Sequence, residues 1–246
     1  MNADLAFAFA LADAADGVTA ARFRASDLRV ETKPDLSPVS EADRAAEEAI
    51  RSLVASSGRG EGVLGEEFGD DGGDAKWIVD PIDGTTNYVR GVPVWATLLA
   101  LERAGVVCAS VISAPALGRR WWAVRGEGAF ADGAPCRVSA VSRVEDATVS
   151  TTSARRMPVG WSSIVERAWA NRGFGDFWQH CLVAEGAVDV GCDGVMNVWD
   201  YAAVQLIVEE AGGRCTTFEG NEPHAGGSFV STNGRLHEDV VSLLSL

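Results

Sequence analysis

The most informative stretch of the sequence is Trp77-Ile78-Val79-Asp80-Pro81-Ile82-Asp83-Gly84-Thr85-Thr86-Asn87. Its apolar beginning predicts a strand that delivers Asp80 and Asp83 into a turn. The backbone N–H groups of the glycine and threonines that follow can open a helix and offer donors to a phosphate oxygen, while carboxylates hold hard cations such as Mg²⁺. The stretch therefore suits phosphate hydrolysis, although an isolated DxxDG is more often an ordinary turn before a capped helix.

Three further acidic positions support the functional interpretation. Glu66 follows a short apolar strand, Asp43 lies in the first turn of a predicted helix, and Asp200 starts the helical pattern YAAVQLIVEEA. Each has an ordinary explanation when taken alone: a solvated turn for Glu66, and helix capping for Asp43 and Asp200. Together with Asp80 and Asp83, they favour a shared metal site.

Composition narrows the class of protein. The chain has 246 residues, of which 47% are hydrophobic and 23% charged, and these values are typical of a globular protein. Its formal charge of −14 argues against nucleic-acid and anionic-membrane partners. The five cysteines form no CxxC pair, which indicates neither a zinc site nor a disulfide framework. Asp4 and Asp13 in the first apolar segment argue against a signal peptide, so we expect a cytoplasmic protein.

The N-terminal half, residues 1–135, is predicted to place helices on a mainly antiparallel sheet. A helix is expected from Asn2 to about Ala25, and a second one from Ser40 with Asp43 as its capping-box partner. The prolines at 34 and 38 force a change of chain direction between these helices. From Gly62 onward, short β-rich segments alternate with glycine and charged turns.

The C-terminal half, residues 136–246, has an alternating α/β pattern and carries Asp200 and the residues expected to set substrate preference. Helices are predicted at about Ser162 to Asn171, Phe177 to Ala184 and Tyr201 to Ala211. The two halves are expected to form one compact unit. The three histidines have no metal-like spacing, so we expect structural or surface roles for them.

Four motifs together resemble the inositol monophosphatase superfamily, and the resemblance extends over nearly the whole chain. They are Ser37-Pro38-Val39-Ser40-Glu41-Ala42-Asp43, Gly65-Glu66-Glu67, Asp80-Pro81-Ile82-Asp83-Gly84-Thr85-Thr86-Asn87 and Trp199-Asp200-Tyr201-Ala202-Ala203. The resemblance implies a layered αβαβα sandwich that combines α+β and α/β features. It also implies two or three Mg²⁺ ions, inhibition by lithium and a homodimer.

The same resemblance implies roles for individual residues. One Mg²⁺ would bind Glu66, Asp80 and the carbonyl of Ile82, and a second would bind Asp80, Asp83 and Asp200. Asp43 and Glu66 would serve a third, weaker ion through water. Glu66 and the Thr85 hydroxyl would orient the attacking water, and the N–H groups of Gly84 and Thr85 would hold the phosphate.

Within the superfamily, the sequence is most similar to the bacterial histidinol-phosphate phosphatases. The similarity lies in Val89-Arg90-Gly91-Val92-Pro93-Val94-Trp95-Ala96, in the segments 113–117 and 119–123, and in Gly175-Asp176-Phe177 followed by Cys181-Leu182-Val183-Ala184-Glu185-Gly186. The resemblance implies that Asp193 faces the substrate alcohol, and Asp176 opens a neighbouring helix. Carboxylates at these two positions favour a substrate with an ammonium group, although inositol hydroxyls can also donate to them.

Other functions stay open from the sequence. Tyr88 stands where phenylalanine is common in the superfamily, and Thr86 where histidinol-type members often have lysine. Inositol-1-phosphate phosphatase is the main alternative, followed by fructose-1,6-bisphosphatase and nucleotide-3′-phosphatase. A regulatory protein that keeps the fold and binds a partner is the non-enzymatic alternative, but the complete acidic set argues against it.

Overall fold

The computed structural model describes residues 2–34 and 36–245, and within them seven α-helices and fifteen β-strands form a layered structure. The helices are α1 (Ala3–Arg22), α2 (Glu41–Ser56), α3 (Thr85–Val89), α4 (Gly160–Arg167), α5 (Asp176–Ala184), α6 (Val198–Glu210) and α7 (His237–Leu244). The first ten strands are β1 (Val30–Thr32), β2 (Pro38–Ser40), β3 (Gly62–Gly65), β4 (Gly69–Asp70), β5 (Ala75–Asp83), β6 (Ala96–Arg103), β7 (Val106–Ala114), β8 (Arg119–Val124), β9 (Gly128–Ala131) and β10 (Ala134–Pro135). The others are β11 (Thr148–Thr151), β12 (Ala170–Arg172), β13 (Val190–Met196), β14 (Arg214–Thr216) and β15 (Gly227–Thr232).

Two large sheets alternate with three helical layers. The eight-stranded sheet has the order β10-β9-β8-β7-β6-β5-β3-β4, and the five-stranded sheet has the order β12-β11-β13-β15-β14. Helices α1 and α2 pack on the outer face of the larger sheet, α5 and α6 lie between the sheets, and α4 and α7 cover the smaller sheet. The layers thus follow the order αβαβα, as predicted from the sequence.

The first two helices follow the sequence pattern closely. Asn2 caps α1 through its side chain, and the helix ends at Arg22, where Phe23 is extended. Ser40 caps α2, and Asp43 completes the predicted capping box. Between them, β1 and β2 pair as an antiparallel ribbon, which produces the expected reversal of direction. Asp35 lies outside the described residues.

An irregularity in β5 determines where the two acids of the central motif lie. The register between β5 and β6 shifts between Asp80 and Asp83, which indicates a β-bulge. In a regular strand, residues three apart point to opposite faces of the sheet. A bulge re-aims the side chains that follow it, so both carboxylates can reach the same side.

Two boundary predictions in the C-terminal half are wrong. The helix expected to reach Asn171 ends at Arg167, because Ala170–Arg172 instead pairs in parallel with β11. The helix expected from about Tyr201, with Asp200 as its N-cap, begins at Val198, with Asn197 as its cap. Asp200 is therefore the third helical residue and not the N-cap.

The division into halves at residues 135 and 136 stays a prediction. Strands of the larger sheet extend to Pro135, and those of the smaller sheet begin at Thr148. In the part of the chain that the structure describes, no helix is both long enough and apolar enough to span a bilayer.

Candidate active site

Three of the predicted ligands converge at the ends of two elements. Asp80 and Asp83 come from the bulged end of β5, and Asp200 comes from the first turn of α6. One carboxylate oxygen of each lies within 4.8 Å of one oxygen of the other two. Asp80 is buried, and the other two are half-buried.

Backbone donors orient each of these carboxylates. The Ile82 N–H donates to Asp80 Oδ1 at 2.9 Å, the Phe177 N–H to Asp83 Oδ2 at 2.7 Å, and the Asn197 N–H to Asp200 Oδ2 at 2.6 Å. This arrangement fixes the side chains and leaves a second oxygen on each of them. Mg²⁺ prefers oxygen ligands, and these three oriented carboxylates offer them in one place. The residues therefore fit the metal ion that the sequence predicts.

The electrostatics of the cluster also favour a cation. Burial raises the pKa of Asp80 well above its ordinary value, and the charges of Glu66, Asp83 and Asp200 raise it further. Burial and the neighbouring charge of Asp176 raise the pKa of Asp83 in the same way. The pKa of Asp200 is raised to about 7, mainly by burial and against the hydrogen bond from Asn197. A bound divalent cation would offset the repulsion among these carboxylates.

Glu66 lies beside this cluster and is paired with a lysine that belongs to none of the sequence motifs. Burial raises the pKa of Glu66, and the ammonium group of Lys33 opposes this rise. Lys33, from the loop between β1 and β2, places Nζ 2.7 Å from Glu66 Oε1 and 2.6 Å from Glu67 Oε1. An ammonium group therefore already occupies one side of a predicted metal ligand.

Asp43 reaches the site through Thr85. The Thr85 hydroxyl is 3.2 Å from Asp43 Oδ1 and 2.9 Å from the Ile82 carbonyl oxygen. Asp43 Oδ2 accepts from the backbone N–H and the hydroxyl of Ser40, as its capping role requires. Burial raises the pKa of Asp43 to about 6. The capping role of Asp43 and its predicted role near the metal ions are therefore compatible, because Oδ2 caps the helix and Oδ1 faces Thr85.

The predicted phosphate-binding turn begins α3. Gly84 precedes this helix with φ +83°, in the left-handed region that favours glycine. A Cβ at Gly84 would lie 3.0 Å from the Val94 carbonyl oxygen and 3.5 Å from Asp176 Oδ2. Conformation and space both require glycine here, which explains the DG dipeptide of the motif.

The two predicted substrate carboxylates also lie near the cluster. Asp176 begins α5 and accepts from the Asn87 side-chain amide at 3.0 Å. Burial and the charge of Asp193 raise the pKa of Asp176 to about 6. Asp193 Oδ2 accepts from the Gln179 side chain at 2.5 Å and lies 3.0 Å from His180 Nε2. The charge of Asp193 also contributes to the raised pKa values of Asp83 and Asp200, so the carboxylates lie close enough to repel one another.

The structure thus brings the sequence-predicted acids into one region, and it adds residues that the sequence did not reveal. Lys33, Gln179, His180 and Ser231 make side-chain contacts to the predicted site residues or to one another. No spacing pattern connects them, because their partners lie 13 to 51 residues away. The roles of the individual site residues stay predictions.

A carboxylate cluster beside a glycine-led helix N-terminus, set in an αβαβα sandwich, is typical of metal-dependent phosphate hydrolases. The model of the inositol monophosphatase family matches residues 2–245. The chain belongs to this family.

Similar proteins agree with the assignment. The chain is 50% identical to a histidinol-phosphatase of Mycobacterium tuberculosis, covering 98% of each protein. It is 46% identical to a histidinol-phosphatase of Streptomyces coelicolor, covering 98% of this chain and 97% of that protein. Among solved structures, the extragenic suppressor protein suhB of Bartonella henselae superposes with a TM-score of 0.91 at 30% identity, covering 99% of this chain and 98% of that one.

Proposed function

We propose that the protein is a Mg²⁺-dependent phosphatase that hydrolyses L-histidinol phosphate in histidine biosynthesis. The observation that carries the substrate is the identity of 46–50% to proteins named histidinol-phosphatase over nearly their full length. The cluster of Asp80, Asp83 and Asp200 supports the phosphatase chemistry. A phosphate ester as substrate also agrees with the raised pKa values of the acidic site. The clustered carboxylates repel a phosphate group, so a cation must bind before the phosphate can.

In this proposal, Asp80, Asp83 and Asp200 would hold one Mg²⁺. Glu66, Asp80 and the Ile82 carbonyl would hold another, and Asp43 and Glu66 would serve a third, weaker ion through water. When bound, the metal makes water more acidic and neutralises negative charge on the phosphate and the leaving oxygen. Lys33 must share or release Glu66 if that carboxylate becomes a ligand, since its ammonium contacts Oε1.

The residues of the chain would orient the attacking water. Because the Thr85 hydroxyl donates toward Asp43 or the Ile82 carbonyl, its oxygen lone pairs remain available to accept a hydrogen bond from water. Glu66 would accept the second proton of the same water. The N–H groups of Gly84 and Thr85, at the start of α3, would hold phosphate oxygens in line for attack.

Substrate preference would come from Asp176 and Asp193. L-Histidinol phosphate carries an ammonium group near the phosphate ester, and a carboxylate partly removed from water pairs with such a group strongly. A neutral polyol leaves this charge uncompensated, which costs affinity.

A panel of phosphate esters tests the proposal. We expect kcat/KM with Mg²⁺ to be roughly 10²-fold higher for L-histidinol phosphate than for inositol 1-phosphate, fructose 1,6-bisphosphate or adenosine 3′-phosphate. Asp193→Asn should lower the preference while keeping Mg²⁺-dependent turnover of the other esters. If a sugar or inositol ester is the best substrate, the proposed substrate is contradicted, but the proposed phosphatase activity is not.

Inositol-1-phosphate phosphatase is the second candidate. A Thermotoga maritima protein named fructose-1,6-bisphosphatase/inositol-1-monophosphatase is 34% identical, covering 84% of this chain and 82% of that protein. The same panel separates the two candidates. From the resemblance we further propose a homodimer, a cytoplasmic location and inhibition by lithium. Sedimentation and activity in LiCl test the first and the last of these.

A further inference from the structure

A chain of side-chain contacts leads from Ser231 on β15, through His180 on α5, to Asp193 on β13. Ser231 on β15 places Oγ 2.8 Å from His180 Nδ1, and His180 Nε2 lies 3.0 Å from Asp193 Oδ2. Ser231 and His180 have no exposed surface. When the ring carries one proton at Nε2, it donates to the carboxylate while Nδ1 accepts from the serine hydroxyl, so every group in the chain has a partner.

Strand pairing and packing around the His180 ring fix its position. Gly191 on β13 pairs with Ser231 across the sheet, and a Cβ at Gly191 would lie 3.0 Å from His180 Nδ1 and 3.1 Å from Ser231 Oγ. The ring meets Phe229 edge to face, with centroids 5.1 Å apart. Asp193 follows Gly191 by two residues on the same strand. The glycine therefore leaves the space in which the ring bridges from one strand to the carboxylate on the next.

The two carboxylate oxygens of Asp193 have different hydrogen-bond partners. Oδ2 receives the Gln179 amide at 2.5 Å and faces His180 Nε2. Among residues 2–34 and 36–245, Oδ1 receives only the Thr152 N–H, at 3.3 Å. The side chain keeps about 10% of its surface exposed. A carboxylate already fixed at one oxygen loses little conformational freedom when the other oxygen binds a ligand.

We propose that His180, supported by Ser231, is a positioning residue for substrate recognition: it holds Asp193 Oδ2 so that Oδ1 receives the ammonium group of the substrate. The proposal rests on the proposed function, because it requires an aminated phosphate ester. His180 contacts the carboxylate and not the reacting phosphate, so its effect belongs to substrate binding and not to the chemical step.

The test compares two substrates in matched variants. L-Histidinol phosphate carries the ammonium, and 4-nitrophenyl phosphate does not. For His180→Leu we expect KM for L-histidinol phosphate to rise roughly tenfold with kcat within about twofold, and kcat/KM for 4-nitrophenyl phosphate to change less than about twofold. His180→Gln, whose amide can donate toward Asp193, should fall between this variant and wild type. Ser231→Ala, a smaller change, should raise the same KM severalfold.

His237→Gln provides the matched control. His237 is equally buried, and its ring nitrogens contact the hydroxyls of Thr216 and Thr232, so its loss reports the general cost of removing a buried histidine. We expect its ratio of kcat/KM between the two substrates to match that of wild type. An equal loss on both substrates in His180→Leu and Ser231→Ala would overturn the positioning role.

The outcomes also separate the two proposals. If wild type shows no preference for L-histidinol phosphate, the proposed substrate fails and the positioning role fails with it. If wild type prefers this substrate and the preference survives in both His180→Leu and Ser231→Ala, only the positioning role is overturned.

Discussion

Replacing Asp83 by asparagine should stabilise the protein without metal and destabilise it, relative to wild type, with metal. The asparagine would keep a side-chain oxygen for the Phe177 N–H but remove one of three carboxylates whose oxygens lie within 4.8 Å of one another. Two unit charges at this distance repel by about 3 kcal/mol at an effective dielectric constant of 20. Partial protonation, which the raised pKa values of the cluster favour, reduces this repulsion. We therefore expect a gain of about 1–2 kcal/mol in EDTA.

Magnesium should reverse the order of stability. Wild type gains about 2.7 kcal/mol at a Mg²⁺ concentration 100 times Kd, whereas the variant, which has lost a ligand, gains much less. Thermal unfolding in EDTA and in excess MgCl₂ measures both effects, since 1 kcal/mol shifts Tm by about 2–4 °C at this chain length. Asp70→Asn, which removes an exposed carboxylate paired with Lys76, is the control and should keep the wild-type response to Mg²⁺. Equal Mg²⁺ stabilisation of wild type and Asp83→Asn would refute the reasoning.

Three further substitutions test other parts of the structure. Gly84→Ala should lower the free energy of unfolding by about 1–2 kcal/mol in urea titrations, because φ is +83° and the Cβ approaches the Val94 oxygen. The control is Gly17→Ala, in open space within α1, which should not lower the free energy of unfolding. His237 has a pKa lowered to about 4 by burial, so the unfolded chain takes up a proton as pH falls from 6.5 to 4, and stability is lost across this window. His237→Gln should reduce that loss by up to about 3 kcal/mol, measured as the difference between unfolding free energies at pH 7 and pH 4. Lys33→Gln frees Glu66 and should lower the Mg²⁺ concentration for half-maximal activity by about threefold to tenfold, and an unchanged requirement would show that Lys33 and the metal do not compete.

Much of the fold follows from local signals in the sequence. The capping box of Ser40 and Asp43, the apolar strand before Asp80 and the glycine at 84 each determine a local conformation, and the structure has all three. The family and the layered fold predicted from the motifs are confirmed.

One wrong boundary arose where a partner distant in sequence decides the structure, and the other where two residues close in sequence could both cap the helix. The segment at 170–172 reads as a helical continuation, but parallel pairing with β11 makes it an edge strand. Asn197 caps α6 three residues before Asp200, because Asn and Asp share the capping box. Local propensity cannot predict the edge strand, since its hydrogen bonds to β11 form only in the tertiary structure.

Some residues of the site could be predicted from the sequence, and others could not. The family resemblance of the acidic motifs predicts which carboxylates meet, and in the structure the bulged end of β5 and the start of α6 carry three of them. The ammonium of Lys33 on Glu66 and the ring of His180 behind Asp193 had no sequence signal, because a lone lysine in a loop and a lone histidine in a helix are ordinary residues. Only the three-dimensional contacts single them out.

Crystals soaked with MnCl₂ and inorganic phosphate provide the most direct test of the site, by anomalous diffraction. Manganese prefers the same oxygen ligands as magnesium and gives an anomalous signal. We expect a manganese peak coordinated by Asp80, Asp83 and Asp200, and phosphate density against the N–H groups of Gly84 and Thr85. Manganese bound elsewhere, with these three carboxylates free of metal, would contradict the central claim.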